Sequence, residues 1–257
     1  MNRKDVVRTQ FNRQAEKFSS WVWTRDEKAL GQLFDFVGIS EEDELLDVAC
    51  GSGEFAIFCA KRIHRARGVD ISAKMIELAT KQAAADRLDN LSFECCDVED
   101  LPFQSGSFSV VTSRSAFHHM GNYRRVFNEM VRCCKGEGVV CIDDLAAYEN
   151  PRVNAFFDEL DQTIDVSHNA RLAIDAFRDL FVKNAVEIVK SAPVEFEIGA
   201  QLDASHAVQS EEAKGRIDKL LQDGLKAPEV SEFLYRKNDK TVFKNRGFRI
   251  VGRKRQV

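Results

Sequence analysis

The sequence predicts an α/β fold in which a mostly parallel sheet is covered by helices on both faces. Three observations predict it. Strand-like and helix-like segments alternate from Glu44 onward, the strands read as short continuous apolar runs, and the first of them, Glu44 to Val48, breaks into a glycine turn that opens a helix. The 257 residues, 44% of them apolar, are enough for one large core. No internal repeat, low-complexity tract or proline-rich linker divides the chain. Residues 1–257 are therefore read as one domain, with a helical arm over 1–40 and cap insertions at about 146–168 and about 204–240.

In order along the chain, the arm carries Val7, Phe11, Ala15 and Phe18, then Trp21, Trp23, Leu30, Leu33, Phe34 and Val37, at spacings that suit two helices. Phe11, Phe18, Trp21 and Trp23 are expected to pack the arm on the main domain, the alternative being that some of them roof a ligand pocket. After the strand Glu44 to Val48 come a helix at about Glu54 to His64, a strand Ala66 to Val69, and a helix Ala73 to Ala84 with Ser72 as N-cap. Strands Leu91 to Cys95 and Phe108 to Thr112 follow, then a helix Tyr123 to Cys134 and a fifth strand Val139 to Ile142. Met75, Ile76, Ala79 and Ala83 on one helix, and Val126, Phe127, Met130 and Val131 on the other, form core stripes at helical spacing. Tyr148 to about His168 reads as an inserted amphipathic helix and residues 170–183 as the next covering helix. A sixth strand lies within Val186 to Ile198, a second helical insertion runs from about Ala204 to Lys237, and Val242 to Gly252 is the final strand.

Charge and composition narrow the function. A formal charge of −4 with basic residues scattered, apart from Arg253-Lys254-Arg255, leaves no broad surface for a phosphate backbone, so no nucleic-acid partner is expected. The polar amphipathic N-terminus, and the lack of any window near the roughly 18 apolar residues of a membrane span, predict a soluble cytoplasmic protein with no membrane partner. Seven cysteines, including the adjacent pairs Cys95-Cys96 and Cys133-Cys134, read as reduced thiols. His118, His119, His168 and His206 lack a recognisable ligand spacing, and no metal is expected.

In an open sheet of this kind ligands lie beyond the carboxyl ends of the strands. The candidates are therefore Asp47 to Gly53, Asp70, Asp97, Ser113 to His119, and Asp143-Asp144. Gly51-Ser52-Gly53-Glu54-Phe55-Ala56, with Asp70 as a ribose acid, fits a dinucleotide fingerprint and hence an NAD-dependent oxidoreductase. Against that, Asp47 and Glu54 flank the place where a pyrophosphate should meet backbone N–H groups and a positive helix end. A phosphate-free ligand with an adenosine, a zwitterionic tail and a positive sulfonium suits those acids better, and S-adenosylmethionine has that description.

Leu46-Asp47-Val48-Ala49-Cys50-Gly51-Ser52-Gly53 resembles the first motif of the class I S-adenosylmethionine-dependent methyltransferases, in particular the small-molecule branch related to ubiquinone and menaquinone biosynthesis, with Ala49 where many members have glycine. Gly68-Val69-Asp70-Ile71-Ser72 resembles the second motif, and Cys96-Asp97-Val98 the segment that meets the adenine. Phe108 to His119 resembles the fourth, and Val131 to Gly138 stands where the family has a Lys-Pro-Gly-Gly turn, here without its proline. The likeness spans roughly residues 8 to 144. It implies a Rossmann-like seven-stranded sheet, mostly parallel, with an antiparallel last strand beside strand five and a helical cap from the arm and the two insertions. It implies cofactor contacts from Asp47, Ala49, Gly51, Gly53, Asp70, Ile71, Met75, Asp97, Val98 and Ser113. Asp70 is expected to accept both ribose hydroxyls, since a carboxylate matches a vicinal diol with two charge-assisted bonds. The implied reaction is in-line displacement of the methyl by an N, O, C or S nucleophile of a small organic metabolite. His118 and His119, just past strand four, are the candidate general bases, at most one of them facing the methyl. A protein that binds the cofactor without methylating is the non-catalytic alternative. For the acceptor, Phe156 and Phe157 with the arm aromatics suggest an apolar chamber, and Asp143, Asp144, Glu149 and Asp158 a negative rim.

Overall fold

Strand β1 (Glu44–Val48) runs through the middle of the sheet with Leu45, Leu46 and Val48 fully buried. Successive side chains face opposite ways: Leu46 and Val48 join one core cluster with Phe127, Met130 and Phe177, while Leu45 joins another with Leu33, Phe55 and Phe58. The computed structural model describes residues 2–20, 22–205, 207 and 210–256, and of these all side chains but those of Val22, Trp23, Leu202 and Asp203. Trp21 and the side chain of Trp23, named above as roof candidates, and His206, named above among the histidines without ligand spacing, lie outside the described residues.

The remaining strands are β2 (Arg65–Asp70), β3 (Leu91–Cys95), β4 (Phe108–Arg114), β5 (Cys134–Leu145), β6 (Val186–Gly199), β7 (Leu234–Lys237) and β8 (Lys240–Lys254). Their order is β3-β2-β1-β4-β5-β8-β6, with β7 paired to β8 beside that path. From β3 to β5 all pairings are parallel, and β8 runs antiparallel to β5, Ile142 facing Ile250, as expected of the last strand. Strand order reverses at β1, between β2 and β4, which opens a crevice at the strand ends there. The helices are α1 (Arg3–Ser19), α2 (Glu27–Val37), α3 (Glu54–Ala60), α4 (Ala73–Ala85), α5 (Tyr123–Cys133), α6 (Pro151–Ile164), α7 (Ile174–Lys183), α8 (Ala200–Ala204) and α9 (Glu211–Gly224). Ser72 caps α4 as expected, its Oγ accepting the Met75 N–H at 3.2 Å.

Three boundaries differ from expectation, each for a local reason. Helix α3 stops at Ala60, not His64, because its terminal carbonyls are taken by side chains: Arg62 Nη1 donates to the Phe58 carbonyl at 2.7 Å and Asn90 Nδ2 to that of Ala60 at 2.8 Å. Strand β5 begins at Cys134 and runs to Leu145, so Asp143 and Asp144 lie inside it and not beyond its end. The second insertion closes in a hairpin, β7 to β8, and not in helix up to Lys237. Asn238 and Asp239 sit at φ 49° and 60°, the left-handed pair that a two-residue hairpin turn requires. The sheet thus has eight strands among the described residues, one more than expected.

The insertions form a third cluster above the sheet, where Phe157, Leu160 and Ile164 of α6 pack on Ile217 and Leu221 of α9 and on Phe243 of β8. Tyr148 stacks on Phe157 there, 4.6 Å between ring centroids.

Candidate active site

At the switch point the chain leaves β1 through a turn in which Ala49, Gly51 and Gly53 have φ of 57°, 55° and 85°. The left-handed backbone costs an L-residue about 1–2 kcal/mol, and Gly51 and Gly53 avoid that cost. Gly53 has a second reason: a Cβ there would meet the Phe93 ring at 2.6 Å. The turn is tied to its neighbour by Cys50 N–H donating to the Val69 carbonyl at 2.9 Å. Asp70, at the end of β2, accepts the Gly51 N–H on Oδ2 at 2.9 Å and the Ser72 N–H on Oδ1 at 2.8 Å. Each carboxylate oxygen keeps one lone pair, so a rigidly held acid remains able to accept a vicinal diol. Asp97, at the end of β3, accepts the Glu99 N–H on Oδ1 at 3.0 Å and Lys4 Nζ of α1 on Oδ2 at 2.7 Å.

These residues line a cavity of about 610 Å³. Asp47, Ala49, Gly51, Asp70, Ile71, Asp97 and Val98 reach its wall, whereas Gly53, Met75 and Ser113 do not. Gly53 acts on it through the backbone, Met75 is wholly buried in the α4 stripe, and the buried Ser113 Oγ has no hydrogen-bond partner among the described residues. The roof is α1, through Arg3, Lys4, Val7, Phe11 and Phe18. Of the expected apolar chamber, Phe11 and Phe18 line the cavity, while Phe156 and Phe157 belong to the cap core behind it. Of the expected negative rim, none of Asp143, Asp144, Glu149 or Asp158 lines it. Asp143 is paired with Arg249 Nε at 2.9 Å, and Asp158 with His168 Nε2 at 3.2 Å.

Burial governs the acids of the turn. It pushes the Asp47 carboxyl up to about 7, against the bond from Thr112 Oγ1 at 3.0 Å and the charge of Arg114. Burial likewise raises Glu54 and Asp70, against the Ser52 hydroxyl on the first and the backbone N–H groups on the second. A cation placed beside these acids would recover their charge, and a phosphate would oppose it. Asp97 is different: burial acts to raise it, but Lys4 and the Glu99 N–H outweigh that and hold it below the usual carboxylate range.

Across the cavity, β4 passes through Ser115, at φ 51°, into the turn Phe117–His119. His118 is buried, and its Nδ1 lies 2.5 Å from Asp144 Oδ1. Asp144 also accepts the N–H groups of Ala116 and Phe117 on Oδ2, each at 2.7 Å, and that of Leu145 on Oδ1 at 2.7 Å. An anion so held fixes the imidazole with Nδ1–H toward the acid and the Nε2 lone pair free. Nε2 has no hydrogen-bond partner among the described residues, and His118 lines the cavity. Burial acts to lower His118, but the charge and hydrogen bond of Asp144 prevail and raise it above the ordinary histidine value. His119 also reaches the cavity, but burial and the charge of His118 push it down to about 3. Its Nδ1 meets Ser167 Oγ at 3.1 Å and its ring the edge of Phe11 at 5.0 Å between centroids.

Beyond the histidines the cavity ends against the first insertion and the sheet top. Asp161, Ile164, Asp165, His168 and Arg171 contribute from one side, and Phe196, Ile198 and Asn245 from the other. His168, at the end of the segment read from sequence as an inserted helix, is buried beside His118, 5.5 Å between ring centroids. Tyr148 lies in the cap core. Ligand atoms of Asp158, Asp161 and His168 lie within 4.8 Å of one another, but Arg171 Nε already donates to Asp161 Oδ2 at 2.8 Å and fills that cluster with a cation. Sequence reasoning flagged Asp144 by position but not as the partner of His118, and it missed Arg3, Lys4, Arg171 and Asn245. None of those four belongs to a strand-end motif, and only their distance in sequence from the cavity they share, 168 residues between Arg3 and Arg171, explains why no pattern reveals them.

Residues 46–142 match the family model described as a methyltransferase domain. The uncharacterized methyltransferase YcgJ of Bacillus subtilis (strain 168) is 29% identical over 176 residues, 68% of this chain and 70% of that protein. Its crystal structure superposes with a TM-score of 0.80 over 90% of this chain and 99% of that one, at 23% identity. The 27-O-demethylrifamycin SV methyltransferase of Amycolatopsis mediterranei (strain S699) is 34% identical over 42% of this chain and 41% of its own length, so here the chain spans less than half of its relative. Geranyl diphosphate C-methyltransferase from Streptomyces coelicolor A3(2), solved with Mg2+, geranyl diphosphate and S-adenosyl-L-homocysteine, shares the fold at a TM-score of 0.61 and 16% identity, covering 88% of this chain and 78% of that one. No helix among the described residues is long and apolar enough to cross a membrane.

Proposed function

We propose that this chain, an S-adenosylmethionine-dependent methyltransferase by the domain it carries at residues 46–142, moves a methyl group onto a small organic metabolite with His118 as the general base. The observation that carries the reading is the Asp144–His118 pair, aimed at the same cavity whose other wall holds Asp70 and the glycine turn. The residues present fit the cofactor. Asp70 offers its remaining lone pairs to a ribose diol, Asp97 and Val98 on the cavity wall offer a carboxylate to an adenine amino group and an apolar face to its ring, and the buried acids Asp47 and Glu54 favour a cation and disfavour a phosphate. When bound, S-adenosylmethionine supplies an electrophilic methyl on a sulfonium.

The chain's own residues supply alignment and a proton acceptor. Asp144 holds the His118 ring, and Nε2 takes the proton from the acceptor's N–H, O–H or acidic C–H as the new bond to the methyl forms. Asp144 stabilises the resulting imidazolium. His119, held near 3, is too weak a base for that step and forms part of the wall with Phe11. With α1 over it, the cavity of about 610 Å³ has the size of a small-molecule site. Relatives named for 27-O-demethylrifamycin SV and for demethylmenaquinone support that class. The absence of a broad basic surface speaks against nucleic acid, and a cytoplasmic location accords with the composition.

Calorimetric titration with S-adenosylhomocysteine and with NAD(H), followed by transfer of labelled methyl to a metabolite panel, tests the reading. The first compound binds and the second does not. His118→Gln keeps the binding and loses the transfer. Binding of NAD(H) alone would overturn the reading, and full transfer by the variant would overturn the role of His118.

A further inference from the structure

The far end of the cavity is more specific than an apolar wall. Arg171 lies in the connection between α6 and α7 and is 5% exposed. Two of its three nitrogens are engaged: Nε donates to Asp161 Oδ2 at 2.8 Å and Nη2 to Asn245 Oδ1 of β8 at 3.0 Å. The rings of Tyr148 and Phe157, 5.2 and 5.3 Å from the guanidinium carbon, fix its plane. The third nitrogen, Nη1, is buried with no hydrogen-bond partner among the described residues. A buried N–H group left unpaired is destabilising, and a chain that keeps one beside a cavity gains when a ligand satisfies it. Asn245, also 5% exposed and lining the same cavity, spends its oxygen on Arg171, and its amide nitrogen donates to no described group.

We infer that Arg171 Nη1 and Asn245 Nδ2 together receive an uncharged oxygen of the methyl acceptor, a carbonyl or an ether, while Ile164, Phe196 and Ile198 hold its apolar body. This rests on the proposed methyl transfer only in calling the bound molecule an acceptor. The charge count selects a neutral oxygen over a carboxylate. Arg171 is already paired with Asp161, its own backbone N–H reaches Asp158 Oδ1 at 3.1 Å, and Asp165 stands on the same wall. With Arg3 facing Asp165, two guanidinium groups stand among three carboxylates and leave no spare positive charge, so a further anion would be repelled while a carbonyl is welcomed as a dipole. Leaving these donors unmet discriminates strongly against a molecule of the same shape without the oxygen.

The test uses three probes of one size, acetophenone, ethylbenzene and benzoate, titrated by ligand-observed NMR against the full chain, with and without saturating S-adenosylhomocysteine. Acetophenone binds at least tenfold tighter than either of the others. In Arg171→Met, and in Asn245→Asp, which keeps an acceptor for Nη2 but removes the amide donor and adds a charge, the margin over ethylbenzene falls to within about twofold. Circular dichroism identifies which variants fold, and Asn245→Asp serves if Arg171→Met does not. Benzoate binding tighter than acetophenone, ethylbenzene binding as well, or an unchanged margin in a folded variant would each overturn the proposal. Failure of S-adenosylhomocysteine to bind would instead strike at the methyl-transfer reading, and the preference among the probes would still be read without it.

Discussion

Replacing Asp144 by asparagine changes one oxygen to an amide and inverts the logic of the site. The carboxylate accepts four hydrogen bonds, from Ala116, Phe117 and Leu145 N–H and from His118 Nδ1–H. The asparagine oxygen can keep the two from Ala116 and Phe117, but its NH2 then faces the Leu145 N–H and the His118 ring. The bond from the Leu145 N–H to a charged group is lost, worth about 1.5–3 kcal/mol, and the bond to His118 is reversed, against a typical total stability of about 5–15 kcal/mol. The variant is expected to fold with a lowered melting temperature. His118 must now accept at Nδ1 and carry its proton on Nε2, so the nitrogen facing the cavity is no longer a base. Loss of a positioned general base costs about 100- to 10,000-fold in rate. Binding of S-adenosylhomocysteine should hold within about twofold, since Asp144 does not line the cavity. Long-range proton–nitrogen correlation NMR reads the tautomer directly and requires no acceptor. In the natural chain His118 carries Nδ1–H when neutral and titrates above the ordinary histidine value, because Asp144 outweighs burial. In Asp144→Asn the neutral tautomer becomes Nε2–H and the titration moves below that value, because burial is then unopposed. An unchanged tautomer, or a rate within tenfold of the natural chain, would refute the dyad.

Asp70→Ala should weaken S-adenosylhomocysteine binding by about 1.5–3 kcal/mol through loss of bonds to a charged acceptor, measured by calorimetry, and unchanged affinity in a folded variant would refute the assignment. Ala49→Gly should raise stability by about 0.5–1 kcal/mol, because relief of an alanine at φ 57° exceeds the added glycine entropy; a lower denaturant midpoint would contradict this. His119 is pushed down to about 3 by burial and the charge of His118, so it stays neutral in the folded chain while the unfolded chain takes up a proton as pH falls through about 6.5. Its contribution therefore opposes folding increasingly from pH 7.5 to 5. The melting temperature of the natural chain relative to His119→Gln should fall across that window, and a constant difference would exclude the neutral, buried state.

The parallel sheet, the glycine turn after β1, and the acids at the ends of β2 and β3 are legible in the chain alone. These are local: a buried strand must be apolar throughout, a turn that enters a helix needs left-handed backbone, and a strand end fixes where the next side chain points. The chain alone likewise implies that a phosphate would be poorly received, because Asp47 and Glu54 bracket the turn within eight residues. It read less well where side chains from distant segments compete. Helix α3 ends early because Asn90 reaches back to its carbonyls, and β5 runs long enough to carry Asp144 inside the sheet, under the turn that holds His118. The two adjacent histidines are told apart only by their folded surroundings. The pairing with Asp144 rests on a hydrogen bond across 26 residues, and the suppression of His119 rests on burial under Phe11 of α1. Only the tertiary structure brought Arg171 and Asn245 to the far end of the same cavity, 74 residues apart, each satisfying part of the other and leaving donors over. Hydrogen-bond satisfaction is a property of a folded neighbourhood, and no periodicity in the chain encodes it.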